Sequence, residues 1–254
     1  YKRQGAYYTK EDITEYISRC SVIPRLLVKI RDIYATRYQT RDIIPWVFFQ
    51  KNPDRYFFRS VLHGINLDLP EDIIYAEIGS KQDIQEQRKN WNEEADPKYG
   101  LPTEIWREVI GRRARVTSVR NLLLSGTVQT VEELINLNLN LRQFAQDAIE
   151  NSDDIKFIWS SWIALSSMSI LDPTGGSGAF LFAALNILDP LYEALIDRME
   201  VYSQSTFNQS VENEIVSQFN VILLDIRKHA NRRYYILKNI ILKNLYSVDI
   251  MEDA

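Results

Sequence analysis

The chain has 254 residues, 45% of them hydrophobic and 25% charged, with a formal net charge of −4. This balance excludes a disordered chain and leaves room for one large domain or two modest ones. It also supplies no overall basic field, so any contact with nucleic acid must rest on local patches or on other parts of a larger protein. The single cysteine, Cys20, excludes an internal disulfide and points to a reducing, cytoplasmic setting. His63 and His229 stand too far from it for a familiar zinc spacing, and no metal is expected. No signal peptide and no apolar run of transmembrane length are apparent, so no membrane association is expected. The sequence begins at Tyr1 without methionine and reads as a fragment of a longer protein.

In chain order, Thr9 is a plausible N-cap for a first helix, with Asp12 three residues later and Ile13, Tyr16, Ile17 and Cys20 on one face. From Val22 to Asn66 the pattern is irregular. Leu26, Leu27, Ile30 and Ile33 have helical spacing, and Ile43 to Phe49 is a short apolar run broken by Pro45. Tyr56, Phe57 and Phe58 beside Arg55 and Arg59 admit two readings: a surface on which bases stack, or an amphipathic core segment with solvated arginines. Leu67 to Pro102 is turn-rich and reads as a long connection with one short helix.

Thr103 then begins a helix that places Ile105, Trp106, Val109 and Ile110 on one side and Arg107, Arg112, Arg113, Arg115 and Arg120 mostly on the other. The four arginines from 112 to 120 form the best local basic patch, either a phosphate-contacting surface or a solvated helix face. Residues 128 to 151 read as helix, although Leu137 to Leu141 alternates like a strand. Ile155 to Ser167 leads into the next element.

That element is the centre of the sequence. Met168, Ile170 and Leu171 close a short strand buried in a sheet, and Asp172-Pro173 ends it, because proline lacks the amide a central strand needs. Gly175, Gly176 and Gly178 follow. Glycine permits positive φ and close backbone approach, and the helix starting near Ala179 offers the unpaired amides of its first turn. A dinucleotide fingerprint requires glycine where Leu181 stands, which disfavours a dehydrogenase, and no Gly-Lys-Ser/Thr phosphate loop occurs.

Phe180 to Leu188 is apolar nearly all round, and Asp189-Pro190 has the form of a cap and first position for a second helical segment reaching Met199. A helix covers roughly Val211 to Asn239. Leu245 to Asp249 then forms a second strand, which a doubly wound sheet would set parallel to the first, its terminal acid beside the glycine turn. At that place Asp249 can accept both hydroxyls of a ribose and Ile250 can pack on an adenine ring.

The segment Asp172-Pro173-Thr174-Gly175-Gly176-Ser177-Gly178-Ala179-Phe180 resembles the cofactor motif of S-adenosylmethionine-dependent DNA methyltransferases that modify exocyclic amino groups. Gly5-Ala6-Tyr7-Tyr8-Thr9 resembles the element that opens a helix beside the methionine end of the cofactor, with Lys10 in place of its proline. Leu245 to Ile250 resembles the second cofactor strand. The three occur in the order of the adenine-N6 enzymes of large restriction-modification or phage-defence systems.

The resemblance implies S-adenosylmethionine as cofactor and Tyr8, Thr9, Asp172, Pro173, Gly176, Gly178, Asp249 and Ile250 as its contacts, with DNA engaged largely by parts outside this chain. It implies a helix-rich α/β fold: a helical N-terminal region over 1–150 and, over 151–254, the first part of a Rossmann-like methyltransferase sheet. Three departures stand against the pattern. About 160 residues separate the first two motifs, Gly175 occupies a position more often cysteine or alanine, and the Asn/Asp/Ser-Pro-Pro-aromatic loop that holds a flipped base is absent. Asp189-Pro190-Leu191-Tyr192 and Asp96-Pro97-Lys98-Tyr99 mimic that loop at the wrong places in the chain, so no catalytic residue is assigned. The rival reading is a helical interaction or scaffold domain with a non-catalytic, nucleotide-binding-like fold.

Overall fold

A computed structural model of the chain describes residues 9–40, 44–73, 89–205, 207 and 209–248. The fold is helix-rich, with one two-stranded parallel sheet among the described residues. It divides into two compact units, Tyr1–Pro45 together with Leu141–Ala254, and Trp46–Asn140. The boundaries differ from a partition at residue 150, because the first helix packs with the C-terminal part of the chain.

In the first unit, α1 (Glu11–Tyr38) runs unbroken for 28 residues through Pro24. Thr14, Ser18, Val22, Leu26, Ile30 and Tyr34 recur every four residues on its buried face. That burial holds together a helix whose internal proline removes one backbone hydrogen bond. Lys10, rather than Thr9, is the N-cap, and no side chain caps this end. At the other end Gln39 adopts φ 57° and its amide donates to the Ala35 carbonyl. Tyr34 donates its hydroxyl to Asp154 Oδ2 at 2.7 Å. Burial first, and this carboxylate second, push the Tyr34 phenol well above its ordinary pKa.

The second unit contains α2 (Val47–Lys51), 3-10 turns at Pro53–Tyr56 and Lys89–Asn92, α3 (Trp106–Ser125) and α4 (Val131–Ile135). Tyr56 and Phe57 are core residues, Tyr56 packing edge-on against Phe49 at 4.8 Å. The core reading of this aromatic segment therefore holds, and neither ring is free to stack on a base. Helix α3 starts at Trp106, three residues later than Thr103, which has φ 65°. Thr130 caps α4 in a reciprocal box with Glu133.

The chain then returns to the first unit through α5 (Leu141–Glu150) and α6 (Ile155–Ser166). Asn138, at φ 53°, separates α4 from α5, which resolves the alternating stretch at 137–141 as a turn between helices. Asp154 caps α6 through the Lys156 amide at 2.8 Å, with the same carboxylate that receives Tyr34. Strand β1 (Ile170–Asp172) follows, then α7 (Ala179–Ser203), α8 (Ser210–Arg227), α9 (Arg232–Asn239), a π-type turn at Ile240–Asn244 and β2 (Leu245–Ser247).

Helix α7 is the hub, packed by α1, α5, α6 and α8. Among the described residues it is the one helix long and apolar enough to cross a membrane, in contrast to the expectation that no such run exists. Half of that apolar window is buried in the protein's own core. It also continues through Pro190 instead of restarting there, because Leu188, Leu191, Tyr192 and Leu195 are fully buried and pin both sides of the proline. The helix expected over 211–239 is instead two, since Asn231 caps α9 by accepting the Tyr234 amide at 2.8 Å.

The strands pair in parallel, Ile170 with Leu245, Leu171 with Tyr246 and Asp172 with Ser247. Leu171 is 60% exposed and Tyr246 47%. The expectation of a strand buried in a sheet is corrected: this pair is exposed, and of β1 only Asp172 is buried. Asn244, fully buried, fixes where β2 begins by donating to the Leu165 and Met168 carbonyls at 2.8 and 2.7 Å.

Candidate functional site

The site is the turn between β1 and α7. Asp172 ends the strand with its carboxylate folded over the chain, Oδ1 accepting from the Thr174 amide at 3.0 Å. Such an Asx turn is what a short acidic side chain before a glycine-rich run favours. The other oxygen, Oδ2, is buried with no hydrogen-bond partner among the described residues, and Asp172 as a whole is 6% exposed. A buried acceptor without a donor costs free energy that a bound ligand can recover.

The turn is latched to β2. Val248 donates to the Asp172 carbonyl and Gly175 to the Val248 carbonyl, each at 3.0 Å. At Gly175 the approach is so close that a Cβ would lie 1.9 Å from Ser247 Oγ. Gly176 and Gly178 have φ 47° and 72°, with no heavy atom within 3.6 Å of an added Cβ, so backbone conformation rather than crowding calls for glycine there. The Gly178 amide donates to Gly175 O at 2.7 Å, and the Phe182 amide donates to Gly178 O at 2.9 Å, which opens α7.

Two cavities flank this turn, and α1 walls both. One, of about 330 Å³, lies between Ile17, Ser18, Ser21 and Val22 and the strand-turn segment including Asp172, Pro173 and Thr174. The other, of about 270 Å³, is lined by Thr9, Glu11 and Glu15 from the start of α1 and by Ser177, Phe182 and Asn186 from the turn and α7. The structure thus brings Thr9 to the glycine turn across the long sequence separation. Asp172 and Pro173 line the first cavity, Thr9 lines the second, and Gly176 and Gly178 shape the loop between them. Tyr8, Asp249 and Ile250 lie outside the described residues, Asp249 directly following Val248 in sequence. Sequence reasoning missed the α1 wall. Its signal was Thr14 and Ser18, hydroxyl residues on the face that α1 buries, with Ser21 nearby.

The arginines of α3 are mostly committed inside the protein. Arg112 bonds both oxygens of Glu104 and the carbonyls of Val61, His63 and Tyr99. Arg113 donates to Gly64 O, and Arg120 grips Asp54 with two bonds of 2.8 and 3.0 Å. The basic patch is therefore largely a structural network. Burial raises the Glu104 pKa, but hydrogen bonds from Arg112 and the Leu101 amide outweigh it and hold the carboxyl below its ordinary range. Among the described residues no cluster of three His, Cys, Asp or Glu side chains is arranged to hold a metal ion.

No model of a known protein family, no curated protein and no solved structure matches the chain.

Proposed function

We propose that this chain is the cofactor-holding part of a DNA adenine-N6 methyltransferase of the restriction-modification or phage-defence type, and that its two strands begin a Rossmann-like sheet. The observation that carries the reading is the parallel register of Asp172 with Ser247, which sets the carboxyl ends of both strands at one glycine turn. Ligands of open α/β sheets sit at the carboxyl ends of the strands. The orphaned Asp172 oxygen, the positive φ at Gly176 and Gly178 and the cavity shared by Thr9 and Ser177 suit S-adenosylmethionine.

The cofactor supplies an electrophilic methyl group when bound. Thr9, Asp172, Pro173 and the glycine backbone, with Tyr8, Asp249 and Ile250, would hold and orient it. No residue of this chain is assigned to the base, because the sequence has no Asn/Asp/Ser-Pro-Pro-aromatic loop. DNA is the proposed partner and the cytoplasm the proposed setting.

The exposed strand pair Leu171 and Tyr246 favours a second reading, a helical interaction domain with a non-catalytic nucleotide-binding-like fold. Calorimetry with S-adenosylmethionine separates the two. The methyltransferase reading expects saturable binding to residues 1–254, weakened by Asp249→Ala by about 1.5–3 kcal/mol, the worth of hydrogen bonds to a charged group. No binding, or binding indifferent to Asp249, rejects it. In a longer protein containing this chain, nucleoside analysis of methylated DNA should show N6-methyladenine, and methylcytosine would contradict the reading.

A further inference from the structure

We propose that a cavity in the Trp46–Asn140 unit, walled by α3 and the 57–61 segment, binds a small apolar monoanion, an aryl or acyl carboxylate, with Arg115 as the partner of its charge. The cavity measures about 390 Å³, and Phe57, Val61, Val116 and Leu137 give it apolar walls. That size and lining are typical of sites for small molecules, in which a few polar groups fix orientation.

Two features point to a ligand. Gly111 sits in the interior of α3, where glycine is among the poorest helix formers, and an added Cβ there would meet nothing within 4 Å. Its missing side chain leaves space at the cavity. The second is Arg115. Its neighbours Arg112, Arg113 and Arg120 all bond groups of the protein, whereas Arg115, which lines the cavity and is exposed, bonds none among the described residues. Arg112 also lines the cavity, but Glu104 balances its charge.

Glu108, the acid on the same lining, uses a carboxylate oxygen to accept the Ile105 amide at 3.0 Å. It lies seven residues from Arg115, about 10 Å along the helix axis. An apolar body with a single carboxylate therefore finds burial at one end and a planar guanidinium, suited to two parallel hydrogen bonds, at the other.

The test titrates 4-phenylbutyrate into the full chain, using ligand-observed NMR and calorimetry. It is compared with 4-phenylbutylamine, which has the same body and the opposite charge, and with acetate, which has the charge without the body. Phenylbutyrate is expected to bind with a dissociation constant below about 5 mM, and the amine and acetate at least about tenfold more weakly. Arg115→Gln, at an exposed position, should weaken phenylbutyrate about tenfold and leave the amine unchanged. Gly111→Leu should abolish binding while the melting temperature is held or raised. The proposal is overturned if phenylbutyrate does not bind or if acid and amine bind alike. It is equally overturned if acetate matches phenylbutyrate, which would mark an adventitious anion contact at Arg115, or if Arg115→Gln has no effect.

Discussion

The Tyr192 hydroxyl donates to Asn244 Oδ1 at 3.0 Å, deep in the first unit, where both side chains are fully buried. The Asn244 amide group in turn donates to the Leu165 and Met168 carbonyls. One side chain thus joins the hub helix, the end of α6 and the start of β2, and it sets the strand that latches the glycine turn. Asn244→Ala leaves the Tyr192 hydroxyl and the Met168 carbonyl unsatisfied at about 1–3 kcal/mol each, while Leu165 O keeps the Met168 amide as a donor. A loss of about 3 kcal/mol or more is expected in urea unfolding. Tyr192→Phe, which orphans only one acceptor, should cost about 1–3 kcal/mol. Equal losses from the two variants would refute a hub role for Asn244.

Gly175 and Ser247 interlock. An alanine at 175 would set its methyl 1.9 Å from Ser247 Oγ and 3.3 Å from Ser247 Cβ. The hydroxyl can rotate away, while the Cβ contact stays tight. Gly175→Ala should therefore cost about 1–3 kcal/mol, the usual range for overpacking. Ser247→Ala in the same chain should recover part of it, and a double-mutant cycle reads the coupling. A coupling energy of zero would mean the two residues do not constrain one another.

The φ of 72° at Gly178 makes a separate prediction. Gly178→Ala places a Cβ in the left-handed region at about 1–2 kcal/mol, and Gly178→Asn should cost less, since asparagine visits that region. The nearest atoms to the added Cβ, in the Phe182 ring, are 3.7 Å away, so crowding adds little. Alanine and asparagine variants of equal melting temperature would show that conformation is not what glycine provides there.

Glu104 makes the second unit sensitive to acid. Its folded-state pKa is depressed, so the unfolded chain takes up the proton more readily. The stability it contributes is full above the ordinary glutamate range and falls as pH drops through that range toward the folded value. Denaturation measured over a pH series should show this loss in the natural chain and a shallower one in Glu104→Gln. The same acid dependence in both would assign the loss to other groups.

Much of this architecture could be read from local pattern. The apolar periodicity read from Thr103 onward marks α3 to within three residues of its start, the Asp-Pro-Thr-Gly-Gly run marks a strand-to-helix turn, and the run from Leu245 to Asp249 marks a second strand, of which the described part is Leu245–Ser247. What sequence misjudged were places where packing overrides local chemistry. Asp189-Pro190 reads as the start of a new segment, yet Pro190 sits inside a continuous helix, as Pro24 does in α1, because its neighbours are buried on several sides. Arg112 and Arg115 look alike in sequence, and only tertiary structure separates the one saturated by Glu104 and three carbonyls from the one left for solvent. The nearness of Thr9 to Ser177 depends on the long α1 packing on α7, a contact with no local signature.

Asp172 is where stability and the proposed cofactor site oppose one another. Oδ1 holds the turn through Thr174, while Oδ2 is buried without a donor among the described residues. A buried oxygen left unsatisfied costs about 1–3 kcal/mol, so the free protein carries a penalty that a ligand donor would relieve. Asp172→Asn keeps an acceptor for Thr174 and replaces the orphan oxygen by an amide group without charge. The variant is expected to unfold at the same or a higher temperature than the natural chain, yet to bind S-adenosylmethionine about tenfold more weakly, as loss of one hydrogen bond to a charged group implies. Thermal unfolding with and without cofactor measures both at once. If Asp172→Asn lowers the melting temperature and leaves the ligand-induced increase intact, the carboxylate serves the turn alone and the site must lie elsewhere.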